Sequence, residues 1–202
     1  MKRVGLLGGA FNPPHQGHLR LAELALEHMG LDEVRFIPTQ TSPHKPTEGP
    51  SGPVRLQLLE VALAGTSRPF SVERLEIERG GTSYTVDTLE ALREREPDCA
   101  WVFLVGSDQL ALLPSWHRSG RIFELASIAV APRPGWETQV PEALAPRLRQ
   151  EWSGSPGELL FLPSTELALA SSEIRRNLSE GLEVPGLPAQ VVNVIQQESL
   201  YR

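Results

Sequence analysis

The stretch VGLLGGAFNPPHQGH, residues 4–18, joins an apolar run to a glycine pair, a proline pair and two histidines. The apolar run at 3–8 predicts a buried β-strand. The glycine pair indicates a tight turn after the strand, the proline pair stiffens the crossing, and a helical pattern begins near Gln16. The stretch therefore predicts a strand, a turn and a helix, which is the repeating unit of parallel α/β sheets.

The same alternation of apolar and amphipathic segments continues along the chain. Further strands are predicted at 33–38, 70–77, 100–106, 127–132 and 158–163. Helices are predicted at 16–29, 53–64, 84–95, 118–125, 141–151, 171–179 and 187–198. We expect an α/β, Rossmann-like fold with a mainly parallel sheet and helices on both faces. A single domain is expected over 1–202, with a C-terminal helical part at about 165–202.

Composition narrows the class of protein. The 202 residues carry a formal net charge of −6, which argues against a broad nucleic-acid surface. A single cysteine, Cys99, excludes a disulfide framework, and no segment has the pattern of a signal peptide or membrane span. We therefore expect a cytoplasmic protein without a membrane partner. The only lysines are Lys2 and Lys45, and neither follows a glycine, so the G-x-x-x-x-G-K-[ST] phosphate loop is absent.

The segment TQTSPHKPTEGPSGP, residues 39–53, is predicted to be a long loop because proline, glycine, serine and threonine dominate it. Loops of this length in compact domains are often functional. The segment begins just after a predicted strand, at the edge where parallel sheets bind ligands. We therefore expect His44 and Lys45 to be within reach of a site at that edge.

His15 and His18 lie where the first turn meets the first helix. Backbone N–H groups and the helix dipole make such a position attractive to phosphate. Two imidazoles there can donate hydrogen bonds to phosphate oxygens or, when protonated, offset charge that develops during phosphoryl or nucleotidyl transfer. Packing or capping is the alternative role for an isolated H-x-x-H pair, but the adjoining glycine and proline pairs favour phosphate binding.

Other classes of function are open to the same histidines. A zinc hydrolase needs a third ligand, and the chain has no H-E-x-x-H and only four aspartates, Asp32, Asp87, Asp98 and Asp108. A dinucleotide oxidoreductase would be expected to carry G-x-G-x-x-G in the first turn, which this chain lacks. A nucleotide-binding regulator without catalysis would bind ATP without turnover.

Five motifs follow one another along nearly the whole chain. They are GGAFNPPHQGH at 8–18, SYTVDTL at 83–89, VGSDQLALLPSW at 105–116, RPG at 133–135 and LASSEIRRNL at 169–178. Together they resemble the G-G-x-F-x-P-x-H-x-G-H, S-Y-T-x-D-T-L, G-x-D-x-L…W, R-P-G and I-S-S-T-x-I-R motifs of bacterial nicotinate mononucleotide adenylyltransferases. That family belongs to the H-x-G-H nucleotidyltransferase superfamily. The H-x-G-H tetrad alone would identify only the superfamily, and the other motifs narrow the resemblance to the family.

The resemblance implies an enzyme that joins ATP to nicotinate mononucleotide, giving nicotinate adenine dinucleotide and pyrophosphate in NAD biosynthesis. Mg²⁺ is expected to arrive with ATP and to keep several waters, with little direct ligation by protein. The same chemistry on nicotinamide mononucleotide is the nearest alternative, because recognition of a carboxylate by backbone N–H groups leaves no charged side chain to identify.

The resemblance also implies a role for each matched residue, with His15 and His18 as the catalytic pair. The implied ATP-binding residues are Gly8, Gly9, Phe11, His15, His18, Gly106, Asp108, Ser172, Ile174 and Arg175. The implied mononucleotide-binding residues are Asn12, Lys45, Tyr84, Thr85, Asp108, Trp116 and Arg133. Thr85 would present backbone N–H groups to the nicotinate carboxylate, and Trp116 would stack on the pyridine ring. Ala170 and Ser172 replace a serine and a threonine of the family motif, so this chain lacks one hydroxyl group that the motif has.

Overall fold

A parallel sheet is the central element of the computed structural model, which describes residues 1–43, 48–132, 138–164 and 169–202. Its strands are β1 (Lys2–Gly9), β2 (Glu33–Pro38), β3 (Phe70–Val72), β4 (Cys99–Gly106), β5 (Ser127–Ala131) and β6 (Leu159–Phe161). They lie in the order β3-β2-β1-β4-β5-β6, and each neighbouring pair is parallel. The predicted α/β fold with a mainly parallel sheet is therefore confirmed.

Helices cover both faces of this sheet. They are α1 (Gln16–Met29), α2 (Gly52–Leu63), α3 (Leu75–Arg79), α4 (Thr85–Arg95), α5 (Ser107–Leu110), α6 (Ser119–Leu125), α7 (Ser171–Ser179) and α8 (Ala189–Gln197). Helices α4 and α6 share one hydrophobic core with the sheet, and α1 and α2 share the other. Neighbouring residues of β4, such as Phe103 and Leu104, belong to opposite cores, which explains why this strand is apolar throughout. No helix in the described ranges is long and apolar enough to cross a membrane.

The order of the strands locates the crevice of the sheet. β1 pairs with β2 on one side and with β4 on the other, so successive connections leave the centre in opposite directions. In open parallel sheets, such a reversal opens a crevice beyond the carboxyl ends of the two central strands. The turn after Gly9 and the short helix α5 after Gly106 both lie at this edge.

Two predicted elements differ clearly from the observed ones, and the short helices α3 and α5 were not predicted. The strand predicted at 70–77 ends at Val72, because the Glu73 carboxylate accepts the backbone N–H of Leu75 and the chain turns into α3. The helix predicted at 141–151 is only a 3₁₀ turn over Glu142–Arg147. Pro146 lies within that turn and cannot donate the hydrogen bond that a continuing α-helix requires.

A smaller hydrophobic cluster joins α2 to α8. Its buried members are Leu58, Ala62, Val191 and Ile195, and the partly buried side chains that pack against it include Leu200 and Tyr201. The residues that follow α8 are thereby held against α2.

Candidate functional site

A cleft of about 310 Å³ opens beyond the carboxyl ends of β1 and β4, where the order of the strands predicts a crevice. The end of β1 contributes Gly8 and Gly9 to its lining, and the start of α1 contributes His18. The start of α4 contributes Tyr84 and Thr85. The segment that begins with the last residue of β4 contributes Gly106, Asp108 and Trp116. Its walls therefore bring together residues from three of the sequence motifs, separated by up to about a hundred positions in the chain.

Gly8 is needed where β1 passes an aromatic side chain of β4. A Cβ added at Gly8 would lie 2.7 Å from Cζ of Phe103, which is closer than carbon atoms can approach. Phe103 in turn makes an edge-to-face contact with Trp116, with ring centroids 6.2 Å apart. The absence of a side chain at Gly8 therefore lets the strand lie directly beside an aromatic wall of the cleft.

His15 and His18 stack on each other at the beginning of α1. Their ring centroids are 3.7 Å apart, and the two planes differ by 27°. The backbone N–H of His15 donates to Nδ1 of His18 over 3.2 Å. An Nδ1 atom that accepts a hydrogen bond carries no proton, so this contact favours the neutral tautomer of His18 with its proton on Nε2. His18 therefore has a donor suited to a phosphate oxygen.

Gly17 gives the His15 ring its space. A Cβ at this position would lie 3.0 Å from both Cε1 and Nδ1 of His15. His15 itself is buried, and its Nε2 lies 3.1 Å from the hydroxyl oxygen of Ser171, the first residue of α7. The two helices that begin with these motifs thus meet at His15.

A buried arginine supports the turn between β1 and α1. Arg55 on α2 is 1% exposed and donates to the carbonyl oxygens of Ala10 and Thr39, each over 2.6 Å. It also donates to the carbonyl oxygen of Gln40 over 3.0 Å. Burial lowers the pKa of Arg55 below its ordinary value. Its donors satisfy backbone acceptors of two segments that leave the carboxyl ends of β1 and β2.

Asn12 ties three further segments to the same turn. Its side-chain amide donates to the carbonyl oxygen of Glu48 over 2.6 Å, and its Oδ1 accepts from the hydroxyl of Tyr201 over 2.7 Å. The Arg175 guanidinium donates to the backbone carbonyl of Asn12 over 3.0 Å. Asn12 is 4% exposed, so its amide supports the turn from the buried side. A contact between Asn12 and substrate stays a prediction.

The opposite wall of the cleft contains a buried carboxyl group. Glu76 on α3 is 6% exposed, and its Oε1 accepts from the Thr88 hydroxyl over 2.8 Å. Burial raises the pKa of Glu76, against the lowering effects of the neighbouring Ser83 and Thr88 hydroxyls and of Arg79. Because Thr88 lies on α4, the contact fixes the start of that helix, where Thr85 faces the cleft.

Phe11, Ser172 and Ile174 are described by the structure but do not line the cleft. The Phe11 ring is buried and contacts that of His18 edge-on, with centroids 5.0 Å apart. Ile174 is buried within α7, whereas Ser172 is exposed. Lys45, Arg133 and the RPG motif at 133–135 lie outside the described residues, as does His44.

Several supporting residues were not predicted from the sequence. Ser171 was visible only as a helix cap, although its hydroxyl reaches His15. Gly17 belongs to the H-x-G-H tetrad, and its place in that motif is the only feature of the sequence that indicates a role for it. Arg55, Glu76 and Tyr201 carry no local signal, because their partners are distant in the chain.

The histidine pair does not have the geometry of a metal site. The nitrogen lone pairs of stacked imidazoles lie in nearly parallel planes and do not converge on one ion. Within the described ranges, no group of three His, Cys, Asp or Glu side chains could hold a metal ion.

Comparison with known proteins supports the assignment that the motifs suggested. The cytidylyltransferase-like family model matches residues 6–177. A Methylococcus capsulatus protein named "Probable nicotinate-nucleotide adenylyltransferase" is 39% identical over 98% of this chain and 99% of its own. A Dechloromonas aromatica protein of the same name is 41% identical over 98% of this chain and 97% of its own.

The fold agrees with a solved structure of much lower sequence identity. A Plasmodium falciparum nicotinic acid mononucleotide adenylyltransferase complexed with NaAD superposes with a TM-score of 0.79 at 16% identity. The superposition covers 100% of this chain and 98% of that one. From the full-length identity to these relatives, the chain belongs to the nicotinate-nucleotide adenylyltransferase family of cytidylyltransferase-like proteins.

Proposed function

We propose that this protein transfers the adenylyl group of ATP to nicotinate mononucleotide, giving nicotinate adenine dinucleotide and pyrophosphate in NAD biosynthesis. The names of the full-length relatives support the reaction. The observation that carries the proposal is the stacked pair of His15 and His18 at the beginning of α1, beside a cleft whose other wall includes Thr85 and Trp116. The cleft thus combines a phosphate-binding side with an aromatic side.

The histidine side of the cleft stabilises charge on the transferring phosphate. The mononucleotide phosphate is already a nucleophile at neutral pH, so attack on the α-phosphorus of ATP needs alignment and charge neutralisation more than proton abstraction. A bond forms between a phosphate oxygen of the mononucleotide and the α-phosphorus, and the bond to pyrophosphate breaks. The Nε2–H of His18 donates to the oxygens that gain charge, and the positive end of the α1 dipole favours that charge.

The aromatic side of the cleft binds the nicotinate ring. The backbone N–H groups at Thr85, in the first turn of α4, receive the carboxylate, and the helix dipole favours its negative charge. The indole of Trp116 stacks on the pyridine ring. Tyr84 stabilises this wall, since its ring lies 4.5 Å from that of His117.

The remaining predicted residues complete the two subsites. Gly8, Gly9 and Phe11 shape the nucleotide crevice. Gly106 and Asp108 belong to the same nucleotide site, where Asp108 accepts hydrogen bonds from ribose hydroxyls. From the C-terminal helical part, Ser172, Ile174 and Arg175 form the side nearest the triphosphate. Asn12, Lys45 and Arg133 contribute to mononucleotide binding.

Magnesium and cellular setting belong to the same proposal. Mg²⁺ bound to the triphosphate supplies charge neutralisation and orientation of ATP. Residues 1–202 act as one domain in the cytoplasm, with small nucleotides as partners and neither nucleic acid nor membrane.

Product identification tests the proposal directly. The protein is incubated with ATP and Mg²⁺ together with nicotinate mononucleotide, with nicotinamide mononucleotide, or with neither. We expect equimolar pyrophosphate and a product with the mass of nicotinate adenine dinucleotide, formed faster from the acid than from the amide. A faster reaction with the amide would contradict the proposed substrate. Phosphate or pyrophosphate release without any mononucleotide would instead indicate a hydrolase.

A further inference from the structure

We propose that Tyr201 is a positioning residue for adenylyl transfer, because its hydroxyl holds the Asn12 side chain and thereby the turn that carries His15 and His18. The inference rests on the proposed function. It assigns an effect on catalysis to a residue beyond α8 that does not line the described cleft.

The contact lies at a junction of several chain segments. The Tyr201 hydroxyl donates to Oδ1 of Asn12 over 2.7 Å, and the other end of the same amide donates to the carbonyl oxygen of Glu48. Arg175 binds the Asn12 backbone carbonyl. With Asn12 only 4% exposed, water cannot readily replace a lost partner. The orientation of the amide therefore depends on the tyrosine hydroxyl.

Tyr201 is itself held firmly enough to act as a support. Leu200 and Tyr201 pack against the cluster between α2 and α8, and the backbone N–H of Leu200 donates to the carbonyl oxygen of Ile195 over 3.0 Å. Burial raises the pKa of the Tyr201 hydroxyl, despite the opposing charges of Arg175 and Arg55. The hydroxyl thus remains a donor throughout the neutral pH range.

A change at Asn12 would be transmitted to the histidines over a short distance. Asn12 follows Phe11, whose ring contacts the imidazole of His18 and whose φ of 46° lies in the left-handed region that non-glycine residues rarely adopt. The turn is therefore held by its surroundings against its own conformational preference. Loss of one such contact would allow the two imidazoles to move relative to the phosphates.

Tyr201→Phe removes the hydroxyl and leaves the packing of the ring in place. We expect kcat to fall roughly three- to tenfold, which is more than the accompanying change in the KM for nicotinate mononucleotide. We also expect the imidazole NMR signals of His15 and His18 to shift, while those of His28 and His117 remain in place. The NMR measurement requires no turnover, so it tests the positioning effect even if the wild-type protein fails to use this substrate.

Glu198→Ala is the matched control, because it removes another hydrogen bond made by the segment around α8. Glu198 accepts from the Gln57 side chain over 3.0 Å, at an exposed position. We expect its kcat and its histidine signals to equal those of the wild type. The inference is overturned if Tyr201→Phe leaves kcat and the histidine signals unchanged, or if it alters only KM. Failure of the wild-type protein to form the dinucleotide would instead reject the proposed function.

Discussion

Gly17 separates the two histidines of the site, and its missing side chain leaves room for the His15 ring. This need is specific to the site, because alanine is ordinarily the better residue within a helix by about 0.5–1 kcal/mol. Stability and activity therefore place opposite demands on this position.

We predict that Gly17→Ala lowers kcat roughly tenfold or more, because the added methyl group displaces the imidazole of His15 from its stacked position. The melting temperature should change little, because the helix-propensity gain of alanine offsets part of the cost of moving the buried ring. Gly120→Ala is the matched control, since a Cβ there meets nothing within 4 Å. Steady-state pyrophosphate release and calorimetry check both variants. A Gly17→Ala enzyme with wild-type kcat would show that the ring does not need this space.

Arg55 is a buried side chain that supplies hydrogen-bond donors to backbone carbonyl oxygens. We predict that Arg55→Met lowers the free energy of unfolding by about 3 kcal/mol, because the carbonyl oxygens of Ala10, Thr39 and Gln40 lose their donor. Denaturant unfolding measures the change. Arg68→Met provides the comparison, because Arg68 pairs with Glu27 at an exposed position and should contribute less than about 1 kcal/mol. Equal losses in the two variants would contradict the proposed support.

At the scale of elements, strong local signals predicted most boundaries. Helix α1 begins at Gln16 and ends before Gly30 as expected, since the glycine adopts the left-handed conformation that stops a helix. The sequence at 70–77 was misleading because apolar residues continue past Val72, yet the Glu73 side chain caps the next turn. Elements that depend on such side-chain contacts cannot be identified from apolar spacing alone.

An ion pair fixes the end of α4 to the sheet and makes the stability of this junction depend on pH. Arg35 on β2 binds both carboxylate oxygens of Glu96, over 2.5 and 2.7 Å. The hydrogen bonds from Arg35 lower the pKa of Glu96 from its ordinary value of 4.5 to about 2. A lowered pKa in the folded state contributes stability above the unfolded value, and this contribution is lost as the pH falls from about 4.5 towards 2.

We predict that Glu96→Gln is less stable than the wild type at pH 7, by no more than about 1 kcal/mol because solvent screens this partly exposed pair. The difference should shrink between pH 4.5 and pH 2, where the wild-type carboxylate becomes protonated. Melting temperatures across this range measure the effect. The exposed pair of Arg121 and Glu124 offers a control through Glu124→Gln, for which no comparable change is expected. A constant difference at every pH would contradict the role of Glu96.

At the scale of the whole molecule, the order of the motifs along the chain anticipated a site that the sheet assembles. His18, Thr85, Asp108 and Trp116 come from separate segments and line one cleft, because their segments meet at the carboxyl edge of the sheet. The residues that hold the cleft-forming turn in place could not be predicted from the motifs in the same way. Tyr201 and Asn12 are 189 positions apart, and nothing near either residue indicates the other.

The role of His18 in the transition state is the central claim of this account, and His18→Ala tests it most directly. The variant and the wild type are compared by their turnover of ATP with nicotinate mononucleotide and by calorimetric binding of the mononucleotide. We predict that kcat falls about a hundredfold or more while the binding affinity changes only severalfold, because the contact strengthens as charge develops on the phosphate. Near-normal turnover, or an equal loss in binding and turnover, would contradict the assigned role.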